Sequence, residues 1–354
     1  MKRILYCVVC DIDLTGTPVF VRDVTNNLND EYEILVYTPR KVIRNIYSDR
    51  VTVIEGNCKG EGIAFLRNVK ANLQQHFKNM CIDIVHINTA NLLFTNVLAD
   101  YFYGKVPLII SHSHNAINYG KDIIHKLVVP FARKNITKKT NAFLACSEDA
   151  GRCMFANNRK YRVMHNFIDT KKFRFSQMSR NTIREQYQHE YILGNIGAFN
   201  GQKNQMFLIK LAEKLGKRFG VLLIGDGEKR VACEQYCREN NVSNVYFINA
   251  CENIHEYYSA FDAFLLPSLH EGNPRVLLEA EVSNLKKFAS VHVPPSSAWT
   301  CEYLPLDEDV WLYHIQSYVR GALEDRCDNT DRIEQNGFGA GAIMRELKSV
   351  YESC

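Results

Sequence analysis

Two glutamates stand on either side of a predicted helix start in the segment SLHEGNPRVLLEAE, residues 268–281. Asn273 is a typical helix cap and Pro274 suits the first helical position, so the apolar run that follows should lie in a helix. The free backbone N–H groups of its first turn should then face Gly272. Such groups bind anions, so this spot could hold a phosphate.

Glu271 precedes the predicted cap, and Glu279 lies about five residues into the helix, a rise of about 7.5 Å, so both carboxylates could flank the phosphate. A nucleotide diphosphate sugar has this layout, with a hexose on one side of two phosphates and a ribose on the other. Carboxylates accept hydrogen bonds from sugar hydroxyls. The pattern therefore predicts a sugar-nucleotide site, although an ordinary capped helix with two solvated glutamates would show the same residues.

The same segment resembles the Glu-x7-Glu signature of family 4 of the retaining glycosyltransferases, which usually reads close to PSLYEGLPNVLLEAQ. Further segments resemble blocks of this family and occur in the family order. They are IISHSHN (109–115), FLACSEDAG (143–151), NFID (166–169), IGAFNGQKN (196–204), VLLIGDGE (221–228) and FDAFLLPS (261–268). The resemblance implies an α/β protein of GT-B fold, in which two Rossmann-like domains with parallel sheets face a central cleft.

Short apolar, β-branched runs alternate with helical stretches, a pattern typical of parallel strands joined by crossover helices. The runs form two series, which predict Rossmann-like domains at residues 1–170 and 190–333. The resemblance implies that the first is the acceptor domain and the second the nucleotide-sugar donor domain. A polar, aperiodic linker is expected at 171–189. The resemblance implies that a last helix, at about 334–354, packs on the first domain. Ligands of such sheets bind at the carboxyl ends of the strands, so the active site is expected in the cleft.

The composition is that of a globular protein of 354 residues with 46% hydrophobic residues, enough for two domain cores. No run approaches the roughly 18–20 apolar residues of a membrane-spanning helix, and no secretory signal is recognisable, so we expect a cytoplasmic protein. Twelve scattered cysteines fit free thiols better than a disulfide framework. Cys7 and Cys10 lie in a predicted strand, which favours core packing over redox or metal chemistry.

A basic amphipathic stretch, KDIIHKLVVPFARKNITKK, covers residues 121–139. It predicts a helix whose charged face is either solvated or in peripheral contact with an anionic membrane, at the inner face of that membrane. Binding to nucleic acid is not expected, because no recognised nucleic-acid module accompanies the charge.

Lys203 follows a predicted strand in a segment that resembles the family block GRFxxxKN, and the resemblance assigns it to the donor phosphates. Glycosyl transfer leaves negative charge on the departing diphosphate, so cations and N–H dipoles must meet that charge. The family usually has an arginine, a bidentate phosphate ligand, where this chain has Ala198. Either another cation substitutes, for which Arg275 is the candidate, or activity is low.

Three glycines are further candidates for contact with the nucleotide. Gly225 and Gly227 flank Asp226 in a strand-to-helix turn where the backbone could approach the nucleotide, although a plain turn would use the same residues. Gly16 falls where the family usually has a Gly-Gly loop over the diphosphate, and only one glycine is present here.

His112 and His114 end the predicted strand 106–112, where the family has a histidine that touches the donor hexose. Alternation along the strand puts both on the same side, and a structural histidine is the alternative for each. No His, Asp or Glu cluster has metal-ligand spacing, and the pair Asp11 and Asp13 is read as the start of a loop. We therefore expect neither a metal nor a cofactor.

Together, these observations predict a retaining transfer of a hexose from a nucleotide diphosphate sugar, by resemblance a UDP-sugar, to a surface glycan or lipid-linked acceptor. Glu279 would hold the ribose. One alternative is a nucleotide-sugar epimerase on the same scaffold. Another is a non-catalytic sugar-nucleotide or glycan binder, which Ala198 and the reduced glycine loop favour. The predicted catalytic residues are Glu271, Lys203, His112 and His114.

Overall fold

The computed structural model describes residues 1–14, 16–28, 30–115, 123–155, 160–321, 326 and 329–353, and only the backbone of 123–127. The chain forms two compact units. Unit 1 is Met1–Phe167 together with Ala340–Cys354, and unit 2 is Ile168–Gly339. Each unit is built on a parallel sheet with separate buried cores.

In the described part of unit 1, parallel strands form one sheet: β1 (Lys2–Val8), β2 (Tyr32–Thr38), β3 (Val51–Glu55), β4 (Ile84–Asn88), β5 (Leu108–Ser113), β6 (Ala142–Ala145) and β7 (Arg162–Val163). Their order across the sheet is β3-β2-β1-β4-β5-β6-β7. The central strands are apolar and buried on both faces, as in parallel sheets that are covered by helices on each side. Apolar runs predict strands at 4–10, 32–38, 51–56, 82–88, 106–112 and 141–147, and each run overlaps one of β1 to β6, whereas the short β7 was not predicted.

Helices α1 (Gly16–Asn26), α2 (Gly62–Phe77), α3 (Leu92–Phe102), α4 (Ile123–Lys139) and α5 (Glu148–Phe155) accompany this sheet. Alternate residues of β1 point into different cores: Tyr6 packs with α1, and Cys7 packs with α2 and α3. Cys10 packs against the core that contains Tyr6. The two thiols of the C-x-x-C pattern are therefore divided between two faces of the sheet.

In unit 2 the described parallel strands are β8 (Tyr191–Ile196), β9 (Phe219–Ile224), β10 (Val245–Ile248), β11 (Ala263–Leu266), β12 (Lys286–Ser290) and β13 (Glu302–Leu304). They lie in the order β10-β9-β8-β11-β12-β13. The helices are α6 (Gln177–Arg184), α7 (Gln205–Leu215), α8 (Arg230–Glu239), α9 (Ile254–Ala260), α10 (Arg275–Val282), α11 (Glu308–Arg320) and α12 (Thr330–Gln335). Apolar runs predict strands at 191–199, 221–227, 245–250, 263–268 and 288–293, and each run overlaps one of β8 to β12, whereas the three-residue β13 was not predicted.

The segment 171–189 is not a linker, because it belongs to unit 2 and contains α6. Asp262, whose side chain is 1% exposed, accepts hydrogen bonds from Arg180 at 2.5 Å and from Arg184 at 2.7 Å. The polar composition that suggested a linker reflects arginines that compensate a buried carboxylate. The boundary between the units therefore lies between Phe167 and Ile168, and not in the predicted linker at 171–189.

The predicted last helix, 334–354, is divided. Helix α12 ends at Gln335, and the helix α13 (Ala340–Tyr351) begins after Gly337, which has a φ of 80°. The N–H of Phe338 bonds to the carbonyl of Ile333 at 3.1 Å, a glycine-dependent way of ending a helix. Helix α13 belongs to unit 1, where Leu347 and Tyr351 are buried in the core that contains Tyr6.

Candidate active site

Two loops of unit 2 meet at the carboxyl ends of the paired strands β8 and β11. Residues 197–204 connect β8 to α7, and residues 267–274 connect β11 to α10. Gln202 joins the loops twice: its carbonyl accepts the N–H of Leu269 at 2.8 Å, and its side-chain amide donates to the carbonyl of His270 at 2.8 Å. The loops thus form one connected surface where parallel α/β sheets bind ligands.

Lys203 and Glu271 form an ion pair across these loops, with 2.6 Å between Nζ and Oε1. The hydroxyl of Ser268 donates to the same Oε1 at 2.7 Å, and the amide of Gln202 lies 3.5 Å from Oε2. The side chains of Lys203 and Glu271 are 18% and 7% exposed, so solvent screens their attraction only weakly. An ammonium group has three protons to donate, so Lys203 can contact Glu271 and a ligand anion together.

The predicted capping of α10 was wrong by one residue. The helix begins at Arg275, and its cap is Pro274, with φ −70° and ψ 108°, rather than Asn273. Proline fixes φ but leaves ψ free, and the extended ψ keeps Pro274 outside the helix. Gly272 is buried between Glu271 and this cap. Arg275, the first residue of α10, lies four residues after Glu271, and the N–H of Leu277 in the first turn bonds to the carbonyl of Pro274 at 3.1 Å.

Glu279 lies on the fifth residue of α10 and is 5% exposed. Its Oε2 accepts the hydroxyl of Tyr258 at 2.8 Å, and its Oε1 lies 3.9 Å from Nε of Arg275. Burial, with the carboxylate as the second cause, raises the pKa of Tyr258 well above its ordinary value, so the phenol stays protonated. Tyr258 was not predicted as a site residue, because nothing in the local pattern links it to Glu279.

Arg275, the expected substitute for the missing family arginine, lies against Glu279 one helical turn away. Ala198 is half-buried, and its carbonyl accepts the side-chain amide of Gln205 at 3.0 Å. Gln205, at the start of α7, therefore supports the loop at the position where the family has its arginine.

Gly225 and Gly227 are required by the packing of two loops. Gly225 has a φ of 144°, and a Cβ on it would lie 2.2 Å from the carbonyl oxygen of Gly197. Gly227 has a φ of 151°, and a Cβ on it would lie 2.4 Å from the carbonyl oxygen of Phe199. The N–H of Phe199 also bonds to the carbonyl of Asp226 at 2.9 Å. This close approach of backbone to backbone explains both glycines without a nucleotide.

Arg230 is a cation at this turn that the sequence pattern did not single out. Its Nη1 donates to the carbonyl of Gly225 and to Oδ1 of Asp226, both at 2.9 Å, and its Nε donates to Glu234 at 2.8 Å. The guanidinium therefore fixes the turn that supports the loop 197–204.

In unit 1, the rings of His112 and His114 lie side by side at the end of β5, with centroids 4.1 Å apart. His114 Nε2 lies 2.9 Å from Oδ1 of Asn88, whose amide donates to the carbonyl of His86 at 2.9 Å. His114 Nε2 therefore carries the proton of this bond. His112 is fully buried, and burial, with His114 as the second cause, holds its pKa well below the ordinary value.

Gly16 opens α1 with a φ of 25°, and a Cβ there would have nothing within 4 Å. Across the described residues, no three His, Cys, Asp or Glu side chains are grouped so that they could hold a metal ion. Every described helix is too short or too polar to span a membrane.

The family model for Glycosyltransferase Family 4 matches residues 14–172, and the model for Glycosyl transferases group 1 matches residues 190–286. EpsF of Bacillus subtilis, which is named as a glycosyltransferase, is 34% identical over 310 residues, covering 82% of this chain and 79% of EpsF. The chain belongs to glycosyltransferase family 4. The resemblance of its motifs to this family and its predicted glycosyltransferase activity are thereby confirmed.

A further relative is the Escherichia coli UDP-Gal:alpha-D-GlcNAc-diphosphoundecaprenol alpha-1,3-galactosyltransferase, 24% identical over 246 residues that cover 63% of this chain and 62% of that enzyme. Among solved structures, Anabaena HepE in complex with UDP is similar over 100% of both chains, with a TM-score of 0.78 and 14% identity. This likeness confirms the predicted GT-B fold of the family 4 chain.

We predict that Gly225→Ala lowers the free energy of unfolding by about 3 kcal/mol, because it adds backbone strain and a clash with Gly197. Gly201→Ala is the matched control, since a Cβ there meets nothing within 4 Å. Urea unfolding followed by tryptophan fluorescence reports on unit 2, which holds both Trp299 and Trp311. Equal stability of the two variants, with weaker UDP binding only in Gly225→Ala, would instead assign Gly225 to the nucleotide.

Proposed function

We propose that this family 4 enzyme transfers a hexose, with retention of anomeric configuration, from a UDP-sugar to a growing surface glycan or a lipid-linked acceptor. The observation that carries the proposal is the ion pair of Lys203 and Glu271, which joins the loops before α7 and α10, with Glu279 farther along α10. HepE has been solved with UDP and with UDP-glucose, and the Escherichia coli relative is named for a UDP-Gal donor and a lipid-diphosphate acceptor. Both names support this choice of substrates.

Lys203 and the N–H groups of α10 would bind the diphosphate. Cleavage of the anomeric C–O bond leaves negative charge on the departing UDP, and fixed cations and dipoles at that point stabilise the transition state. Lys203 is already held by Glu271, so little reorganisation is needed when the phosphate binds. Gly272 would leave room for the phosphate to approach the helix.

Glu271 would accept a hydrogen bond from a hydroxyl of the donor hexose, and Glu279 would accept one from a ribose hydroxyl. Ser268 and Tyr258 fix these carboxylates through bonds of 2.7 and 2.8 Å, which orients the remaining lone pairs. In unit 1, His112 and His114 are assigned to the donor hexose, and Gly16 to the diphosphate.

No side chain is assigned as a nucleophile. We propose a same-face substitution in which the departing phosphate takes the proton of the acceptor hydroxyl, so the bond to the leaving oxygen breaks as the new glycosidic bond forms. This mechanism uses no cofactor and no metal ion. Ala198 removes one phosphate ligand relative to the family pattern and places more of the phosphate binding on Lys203.

The two glutamates should differ in kinetics. Glu271→Gln should lower kcat by about 100-fold, because a hexose contact that strengthens in the transition state is lost. Glu279→Gln should raise the donor KM by about tenfold and change kcat less, because a ribose contact acts equally in both states. Steady-state assays with UDP-sugars measure both effects, and Glu213→Gln, exposed on α7, is the control.

Wild-type kinetics in both variants would contradict the assignment of this site. Product analysis by NMR tests the reaction itself: an α-linked product from an α-linked donor supports retention, and an inverted linkage contradicts it. An isomerised nucleotide sugar in place of a new glycoside would identify an epimerase.

Turnover should be unchanged by excess EDTA, because Lys203 and the backbone N–H groups replace the metal that other transferases use to neutralise the diphosphate. The assay compares the dialysed enzyme with EDTA and with added Mg²⁺ or Mn²⁺. A loss of activity in EDTA that either metal restores would overturn the metal-free mechanism.

We also propose that the cytoplasmic enzyme works at the inner face of the membrane, where α4 contacts anionic lipid. The described side chains of α4 support this: Phe131 is 74% exposed, and Lys134 and Lys138 are exposed near it at helical spacing. Val129 and Ile136 are buried and attach the other side of α4 to unit 1. The side chains of Lys121 and Lys126, which belong to the same predicted basic stretch, lie outside the described residues.

Lys134→Ala/Lys138→Ala should weaken binding to anionic vesicles about thirtyfold, because each basic residue near the surface contributes about 1 kcal/mol. The control, Lys70→Ala/Lys78→Ala, removes the same charge from exposed positions on and next to α2. Co-sedimentation with vesicles of phosphatidylglycerol and of phosphatidylcholine measures both. Equal loss in the two double variants, or equal binding to neutral lipid, would leave α4 as a solvated helix.

A further inference from the structure

A row of hydrogen-bonded side chains crosses the core of unit 1. The hydroxyls of Tyr6 and Tyr351 lie 2.7 Å apart, and the hydroxyl of Tyr351 lies 2.9 Å from Nδ1 of His86. Nε2 of His86 then lies 3.3 Å from Nδ1 of His112. All four residues have 0% exposure, so solvent does not replace any of these bonds. The row joins β1, α13, β4 and β5 in that order.

All four side chains are uncharged at neutral pH. Burial raises the pKa of both tyrosines above the ordinary value. Burial, with His114 as a further cause, lowers the pKa of His86 to about 3 and also lowers the pKa of His112. Each phenol and each neutral imidazole then has one proton to donate. The row therefore contains four donors but only three hydrogen bonds.

One donor must be left over, and the direction of the row decides which one. If His112 donates to His86 through Nδ1, each bond points toward Tyr6, and the hydroxyl of Tyr6 is left without an acceptor. If Tyr6 donates to Tyr351, each bond points toward His112, and the Nε2–H of His112 is left over. Within the described part of the chain, Nε2 of His112 is a buried atom without a hydrogen-bond partner.

The two ends of the row differ in their surroundings. Tyr6 lies in the middle of β1, among apolar side chains that include Ile4 and Val24, where an unmatched hydroxyl proton has no acceptor. His112 lies near the carboxyl end of β5 beside His114 and Phe20, at the edge of the sheet where ligands bind. Of the two ends of the row, only the His112 end lies near that edge of the sheet, where Nε2 is covered by neighbouring side chains.

We propose that Tyr6, Tyr351 and His86 are positioning residues, which hold His112 in the tautomer that presents Nε2–H to a hydroxyl oxygen of the donor hexose. The contact with the hexose rests on the function proposed above, whereas the direction of the row does not. We call this directed row the relay. It gives α13 a role in positioning His112, because Tyr351, the last residue of that helix, donates the hydrogen bond that fixes the tautomer of His86.

The tautomers can be measured by NMR in the full-length protein labelled with ¹⁵N-histidine. Two-bond ¹H–¹⁵N spectra of imidazoles distinguish a protonated ring nitrogen from a bare one. The signals are assigned from their loss in His86→Gln and His112→Gln. The relay requires both histidines to carry their proton on Nε2 in the wild-type protein.

Three Tyr→Phe variants test the row. Tyr351→Phe removes the donor to His86, so the His86–His112 bond can reverse and both tautomers of His112 should appear. Tyr6→Phe removes only the first donor, so both histidines should keep the proton on Nε2. Tyr32→Phe is the control, because the ring of Tyr32 packs on Tyr351 at 6.1 Å but lies outside the row.

Kinetics link the tautomer to the reaction. Tyr351→Phe should lower kcat about three- to tenfold, the effect of weakening one neutral hydrogen bond in the transition state, with a smaller change in donor KM. Tyr32→Phe should keep the wild-type kcat. Thermal unfolding of each variant shows whether a change in rate reflects a loss of folded protein.

A proton on Nδ1 of His112 in the wild-type protein would overturn the relay, whatever the activity. Unchanged tautomers in Tyr351→Phe, or an equal change in Tyr6→Phe, would do the same. Mixed tautomers with an unchanged kcat would support the relay and overturn the proposed contact of His112 with the hexose. If Tyr351→Phe does not fold, the wild-type and Tyr6→Phe spectra still decide the direction of the row.

Discussion

The parallel pairing of β8 with β11 is the constraint on which the unit 2 site depends. These strands are far apart in sequence, and their pairing through Leu193–Ala263 and Gly194–Phe264 sets the loops at their carboxyl ends side by side. The pairing has a steric condition at Gly194, since a Cβ there would lie 2.1 Å from the ring of Phe261. Only with the strands in this register can Lys203 reach Glu271, so a packing requirement in the sheet becomes a charge arrangement at its edge.

That arrangement matches cations with carboxylates before any ligand binds. Lys203 pairs with Glu271, and Arg275 lies near Glu279, so the charges of the loops largely compensate one another. A buried cation without such a partner would cost several kcal/mol. An arginine at position 198 would add a positive charge to this surface. With Ala198 the compensation is retained, and the attraction for a diphosphate depends more on Lys203 and on the dipoles at the start of α10.

The sequence was sufficient where the signal is local. Apolar runs located the predicted strands, and the spacing of Glu271 and Glu279 located the helix that carries the second acid. Sequence patterns failed where the cause is a contact between residues distant in sequence. These contacts are the hydrogen bond of Tyr258 to Glu279, the ion pair of Asp262 with Arg180 of α6, and the close approach of the Gly197 carbonyl to Gly225. The polar segment of α6 resembled a linker because a pattern does not show which carboxylate its arginines meet.

The polar side chains of the row in unit 1 are neutral, whereas those of the site in unit 2 are charged. A charged histidine buried beside His86 and His114 would be repelled and poorly solvated, and burial keeps the pKa of His112 low accordingly. A neutral imidazole can still differ in one respect, namely which nitrogen carries the proton. Buried polar groups in native proteins are nearly all hydrogen-bonded, so an unmatched atom in an otherwise complete row is informative. In the proposed row, the direction of the hydrogen bonds is transmitted from Tyr351 on α13 through His86 to His112 on β5, although Tyr351 and His112 share no hydrogen bond.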